Sequence, residues 1–242
     1  RDYQHFTTGD VHILSAALLA HLDYIAKHLE YHGKTCNNHI LNNARALYIG
    51  GRIMGLPEIA ELARAIFRRH LPELINEEGV LIEASSHYQL LLTRSMAEVW
   101  WAARATDDRE YADYLSRLVC SMVSAGRYMS GFAGNELTDD FPLIGDVSPD
   151  YPVAWFFPRP GGKQETESWW RLWGDDEWAM LAKGQIPLPG VRGLRQWKWL
   201  DAGTLRLFVY LPDDSPGVYP QAHGHMDFGS FLLYDAECPI FV

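Results

Sequence analysis

Between Gln221 and Val242 the chain reads QAHGHMDFGSFLLYDAECPIFV, and three ionisable side chains, His223, His225 and Asp227, recur there at every second position. In an extended segment the side-chain period of two places all three on one face. Zinc takes imidazole nitrogen and carboxylate oxygen, and a His-x-His pair presents two such ligands from a stiff backbone. With an activated water the same trio would suit metal-assisted hydrolysis. The plainer alternative is the solvated face of an edge strand.

Two other stretches bring polar chemistry to the start of a helix. Asn37, Asn38 and His39 precede the apolar positions Ile40, Leu41, Ala44, Leu47 and Tyr48, where asparagine is a favoured N-cap. Glu83, Ser85, His87 and Tyr88 precede Leu90 to Leu92, with Ser85 or Ser86 as the cap. A tyrosine there either packs half-buried with a wetted hydroxyl or serves as a proton donor. The pairs and triplets Trp100 with Trp101, and Trp169, Trp170 with Trp173, could stack on sugar rings or anchor cores. Arg45, Arg52 and Arg94 are candidate sources of local positive charge. No G-x-S-x-G elbow, phosphate-binding loop or G-x-G-x-x-G fingerprint occurs, which argues against an esterase-type serine and against nucleotide cofactors.

The elements that must position these groups are helical first and extended later. From Val11 to about Met129 apolar residues recur at helical spacing, as in Ile59, Leu62, Ala63, Ile66, Phe67 and Leu71 behind a first-turn Pro57. Breaks fall at Gly50 and Gly51, at Gly55 with Pro57, and at Asn76 to Gly79. Antiparallel helix pairs of this kind fit a bundle, a solenoid or a closed toroid equally well. Beyond Gly131 prolines and glycines preclude long helices, apart from a short one around Asp175 to Ala182. Arg195 to Leu200 and Leu205 to Leu211 read as strands joined at Asp201 to Thr204, and Asp227 to Tyr234 with Pro239 to Val242 as a second pair. The expected organisation is a helical domain over 1–140, a Pro/Gly/Trp-rich connector over 141–194 and an antiparallel β domain over 195–242.

The 242 residues are 48% apolar, enough for a substantial core. Lys plus Arg total 21 against 31 Asp plus Glu, a net charge of −10, so nucleic acid and anionic membranes are poor partners and a polyanionic substrate would need locally gathered positive charge. No apolar run reaches the ~20 residues of a membrane span. The chain opens on Arg1 and stops at Val242 within an expected strand, which reads as a portion of a longer protein. Cys36, Cys120 and Cys238 are too few and too scattered for a disulfide framework.

Three blocks in order, NNHILNNARALYIGG, EEGVLIEASSHYQLLL and HGHMDFGSFLLYDAECPIFV, resemble the heparinase II/III-like polysaccharide lyases. The resemblance implies an α+β multidomain fold, an incomplete α/α toroid followed by the start of an antiparallel β-sandwich. It also implies β-elimination at a uronic acid of an acidic polysaccharide, heparan-type, alginate-type or other. By the same resemblance Asn38 and His223 neutralise the substrate carboxylate, His39 takes the C5 proton for one uronate configuration, and Tyr88 protonates the leaving C4 oxygen. For the opposite configuration Tyr88 also takes the C5 proton, a base role that needs an electropositive setting. His225 resembles a ligand of a structural zinc, with Asp227 as a fallback ligand. Trp169, Trp170, Arg171 and His87 are the expected substrate-binding residues, and a periplasmic or secreted location is expected. The alternative in another class is a non-catalytic glycan-binding or polysaccharide-assembly protein on the same scaffold.

Overall fold

The computed structural model describes residues 6–31, 36–131, 141–147, 193–211, 229–235 and 238–241. Five helices precede a four-stranded antiparallel sheet among these residues. The chain divides into two compact units, Arg1–Glu73 with Glu98–Ala112, and Leu74–Ala97 with Asp113–Val242.

In the first unit, α1 (Thr8–Lys27) opens with a capping box in which Thr7 and Asp10 satisfy each other's backbone N–H groups. It buries only Leu22 and leaves Val11, Ile13, Leu14 and Tyr24 exposed. α2 (Asn38–Ile53) buries Ile40, Leu41, Ala44, Leu47 and Tyr48, the stripe expected from its sequence. Two glycines let its neighbours come close: a Cβ on Gly50 would stand 2.6 Å from a methyl of Leu22, and one on Gly51 2.8 Å from the backbone nitrogen of Ala60. α3 (Pro57–Leu74) starts at the proline, as its missing N–H allows, and buries Ala63, Ile66, Phe67 and Leu71.

α4 (Ser86–Ala105) and α5 (Arg109–Met129) contribute residues to both units. Trp100 of α4 is 2% exposed, so it is a core residue and offers no face to a sugar. The first unit also contains a partly buried polar knot. Asp108 accepts hydrogen bonds from the Tyr48 hydroxyl at 2.6 Å and from Arg64, while Arg52 donates to the Thr106 carbonyl at 2.5 Å. Burial pushes the Asp108 carboxyl up, but the Tyr48 and Arg64 hydrogen bonds outweigh it and hold the group below the usual carboxylate range. Burial first, then the Asp108 carboxylate, raises the Tyr48 phenol well above its ordinary value.

In the second unit, Gln89 of α4 is fully buried and replaces a missing peptide partner. Its Oε1 accepts from Leu81 N at 2.7 Å and its Nε2 donates to Gly79 O at 2.9 Å, pinning the loop that carries the Ile75–Leu81 bridge. The sheet runs in sequence order: β1 (Trp197–Ala202), β2 (Leu205–Tyr210), β3 (Phe231–Asp235) and β4 (Cys238–Phe241). Ala202 pairs with Leu205, so the first hairpin closes on Gly203 and Thr204, and Gly203 takes the positive φ of +68° that such a tight turn requires. β3 begins at Phe231, after a turn at Gly229 with φ +69°; Asp227 and Phe228 of the expected strand lie outside the described residues. Trp197, Phe208, Tyr210 and Tyr234 are buried, and the Trp199 indole donates to Tyr128 O of α5 at 3.0 Å. A helical region followed by an antiparallel sheet is therefore present as expected. The expected helix around Asp175 to Ala182 lies outside the described residues.

Candidate active site

The entrance of α2 is built by an asparagine cap. Asn37 has an extended backbone and its side chain accepts from His39 N at 3.0 Å, so the capping role falls to Asn37 and not to Asn38. Asn38 becomes the first helical residue and is 7% exposed. His39 is half-exposed, and its Nδ1 lies 3.3 Å from Glu30 Oε1. Glu30 is itself fixed by Asn43, whose amide donates to Glu30 Oε2 at 2.8 Å and whose carbonyl accepts from Glu30 N at 2.8 Å. A carboxylate held in this way orients the imidazole beside it and assigns the proton to Nδ1. Glu30 was not legible as a site residue in the sequence, where it is one acid among many at the end of a helix.

The entrance of α4 is also capped, by Ser85, whose hydroxyl accepts from Tyr88 N at 3.0 Å and donates to Asp146 O at 2.6 Å. Ser86 donates to Pro142 O at 2.7 Å and accepts from Ile144 N at 3.0 Å, while its own N–H donates to Ile144 O at 3.0 Å. The segment 141–147 is thereby clamped across the first turn. Gly145 makes the clamp sterically feasible: φ is +83°, and a Cβ there would stand 2.5 Å from the Ala84 carbonyl oxygen. His87 is 2% exposed and meets the Tyr88 ring edge-on, with centroids 6.4 Å apart. Tyr88 is partly exposed. Burial raises its phenol above the ordinary tyrosine value, and the Asp146 and Glu83 carboxylates raise it further. Both causes oppose ionisation of the phenol, which suits a proton donor better than a base.

The structure thus groups Asn38 with His39 and His87 with Tyr88, one pair in each unit. His223, His225, Asp227, Trp169, Trp170 and Arg171 lie outside the described residues. Arg45 and Arg52 are engaged within the first unit, Arg45 with Glu98 at 2.9 Å and Arg52 with Thr106.

A further cluster was not anticipated. Cys36, His70 and Glu73 bring one ligand atom each to within 4.8 Å of one another, and could bind a metal ion. Glu73 is held below the usual carboxylate range, mainly by its hydrogen bond with His70. The sequence offered one cue: His70 falls on the apolar stripe of α3 with Phe67, Leu71 and Leu74, an unusual place for an imidazole without a partner. Cys36 is distant in sequence and gave no cue. No helix among the described residues is long and apolar enough to cross a membrane.

No family model matches the sequence, and no curated protein matches it either. A search of solved structures finds the crystal structure of heparan sulfate lyase HepC from Pedobacter heparinus, with a TM-score of 0.58 and 17% sequence identity over 97% of this chain. The chain spans 36% of the length of that lyase. At this identity the similarity concerns the fold: a distant structural relationship to a polysaccharide lyase, in which mostly helical chain leads into antiparallel sheet.

Proposed function

We propose that the chain is the catalytic part of a polysaccharide lyase that cleaves uronate-containing polymers by β-elimination, on an incomplete toroid joined to a β-sandwich. The observation that carries this reading is the fold similarity to a polysaccharide lyase, together with the position of Tyr88, a partly exposed phenol in the clamped first turn of α4. The departing C4 alkoxide is a stronger base than phenolate, so proton transfer from Tyr88 to it runs downhill and completes C4–O cleavage.

The harder step is removal of the weakly acidic C5 proton. In this reading His39 accepts it at Nε2, with Glu30 holding Nδ1–H at 3.3 Å and stabilising the imidazolium that forms. Negative charge then spreads onto the sugar carboxylate. Asn38, with His223, donates hydrogen bonds to that carboxylate, and the positive end of α2 favours charge at the same place. These interactions strengthen as the enolate-like transition state develops, which is why they accelerate the step. His87 meets Tyr88 edge-on, and Trp169, Trp170 and Arg171, outside the described residues, are assigned to polymer selection as part of this proposal. The zinc expected at His225 and Asp227 falls outside the described residues, and no step above passes through it.

A panel of purified acidic glycans, heparan sulfate and alginate among them, tests the proposal by absorbance of the unsaturated product. At least one polymer should give the double bond, and Tyr88→Phe should lower the rate by roughly 10²- to 10⁴-fold, the span of general-acid catalysis, with an unchanged circular dichroism spectrum. A fully active Tyr88→Phe protein would overturn the assignment. Glycan binding with no chain shortening would favour the non-catalytic alternative, and saturated product ends would mark a hydrolase.

A further inference from the structure

The Cys36, His70 and Glu73 cluster lies outside the proposed chemistry, and its geometry separates two uses. In a nucleophile–base–acid relay the thiol and the carboxylate occupy opposite nitrogens of the imidazole. Here both meet the same one: Cys36 Sγ is 3.2 Å and Glu73 Oε2 is 2.6 Å from His70 Nδ1, and Sγ lies 3.4 Å from Oε2. The opposite nitrogen, Nε2, lies 3.1 Å from the Tyr31 hydroxyl. A relay is excluded by that arrangement. Three donor atoms converging on one point, with the far side of the imidazole anchored by an outer hydrogen bond, is instead the pattern of a chelate.

We propose that Cys36, His70 and Glu73 bind one divalent transition-metal ion of the zinc class, with solvent as the fourth ligand. A tetrahedral ion with zinc–ligand distances of about 2.0 to 2.3 Å separates neighbouring donor atoms by roughly 3.3 to 3.6 Å. The two edges that involve sulfur, 3.2 and 3.4 Å, already stand near that range. Only the 2.6 Å edge between His70 and Glu73 must open, by roughly 0.7 Å for such an ion. The Glu73 side chain is 53% exposed and can make that movement, whereas the His70 side chain is 4% exposed and stays fixed. On binding, the thiol proton passes to solvent and Sγ coordinates as thiolate. The proton on His70 Nδ1 that bonds Glu73 is also released to solvent, leaving Nδ1 to coordinate and Nε2–H to face the Tyr31 hydroxyl. The ion would tie the residue before the Asn37 cap to the last turn of α3, both in the first unit. The site is independent of the lyase reading, and its ligands differ from the His225 and Asp227 pair in including sulfur.

The sulfur provides the test. The whole protein, stripped with chelator and kept under reductant, is titrated with Co²⁺. One ion per chain should produce thiolate-to-cobalt charge transfer in the near ultraviolet, and Zn²⁺ should abolish it. The band should vanish in Cys36→Ser and persist in Cys120→Ser and Cys238→Ser. Glu73→Gln should weaken Co²⁺ binding by about tenfold or more, given that even outer partners of metal ligands matter by about 10- to 100-fold. Absence of the band in the wild-type protein, or its survival in Cys36→Ser, would overturn the site. Unaltered affinity in Glu73→Gln with an unchanged circular dichroism spectrum would overturn the three-ligand assignment.

Discussion

The entrances of α2 and α4 solve one problem by different means. Each places a candidate catalytic side chain in the first turn of a capped helix, His39 behind Asn37 and Tyr88 behind Ser85. At α4 the turn is held by buried hydroxyls and main-chain groups: Ser86 alone engages Pro142 and Ile144 of a facing segment. Nothing in that clamp titrates near neutrality. At α2 the supports are ionisable side chains, Glu30 beside His39, and elsewhere in the same unit Asp108 beneath Tyr48. On the proposed reading, Tyr88 as proton donor is positioned by hydroxyl and main-chain groups, while His39 as proton acceptor has a carboxylate partner that stabilises the charge it gains.

Three measurements would break or sharpen that contrast. The largest effect is expected from Gly145→Ala, which places a methyl group against the Ala84 carbonyl at a positive φ. The left-handed penalty plus the clash should cost about 3 kcal/mol, lowering Tm by roughly 6 to 12 °C. A stability loss smaller than that of Asn37→Ala would reverse the comparison.

Acid comes next. The folded-state carboxyl of Asp108 is depressed, so its contribution to stability is present above its unfolded value of about 3.9 and is lost as pH falls through the lower folded value. Amide hydrogen exchange in α2 and around Asp108 should therefore accelerate below about pH 4 before the first turn of α4 responds. Simultaneous loss at both entrances would remove the contrast. Asn37→Ala should show the smallest effect, about 1 kcal/mol in denaturant unfolding, the usual worth of an N-cap; a loss of several times that would mean the cap is coupled to the cluster at Cys36.

Much of the framework was legible in the sequence because local physics determines it. Pro57 marked the start of α3 and the spacing of Ala63, Ile66, Phe67 and Leu71 marked its buried face. The hairpin around Gly203 was likewise expected, although the turn is tighter than the four residues allotted to it. Ser85 was identified as one of two candidate caps; that Ser86 clamps a segment beginning at Phe141 could not be, since that contact joins residues far apart in the chain. The same reason hid Glu30 beside His39 and Cys36 beside His70. Asp108 was invisible for another reason: a charged residue in a helix connection reads as solvated, and only the fold surrounds it with Tyr48, Arg64 and Arg52.

Gln89 carries a consequence for the lifetime of the molecule. Its carboxamide meets a donor at Leu81 with its oxygen and an acceptor at Gly79 with its nitrogen. Hydrolysis of that amide to a carboxylate would preserve the shape and reverse the electrostatics, setting an anionic oxygen against the Gly79 carbonyl. Its complete burial withholds the water that such chemical ageing consumes, so the loop stays intact for as long as the helix beneath it stays folded.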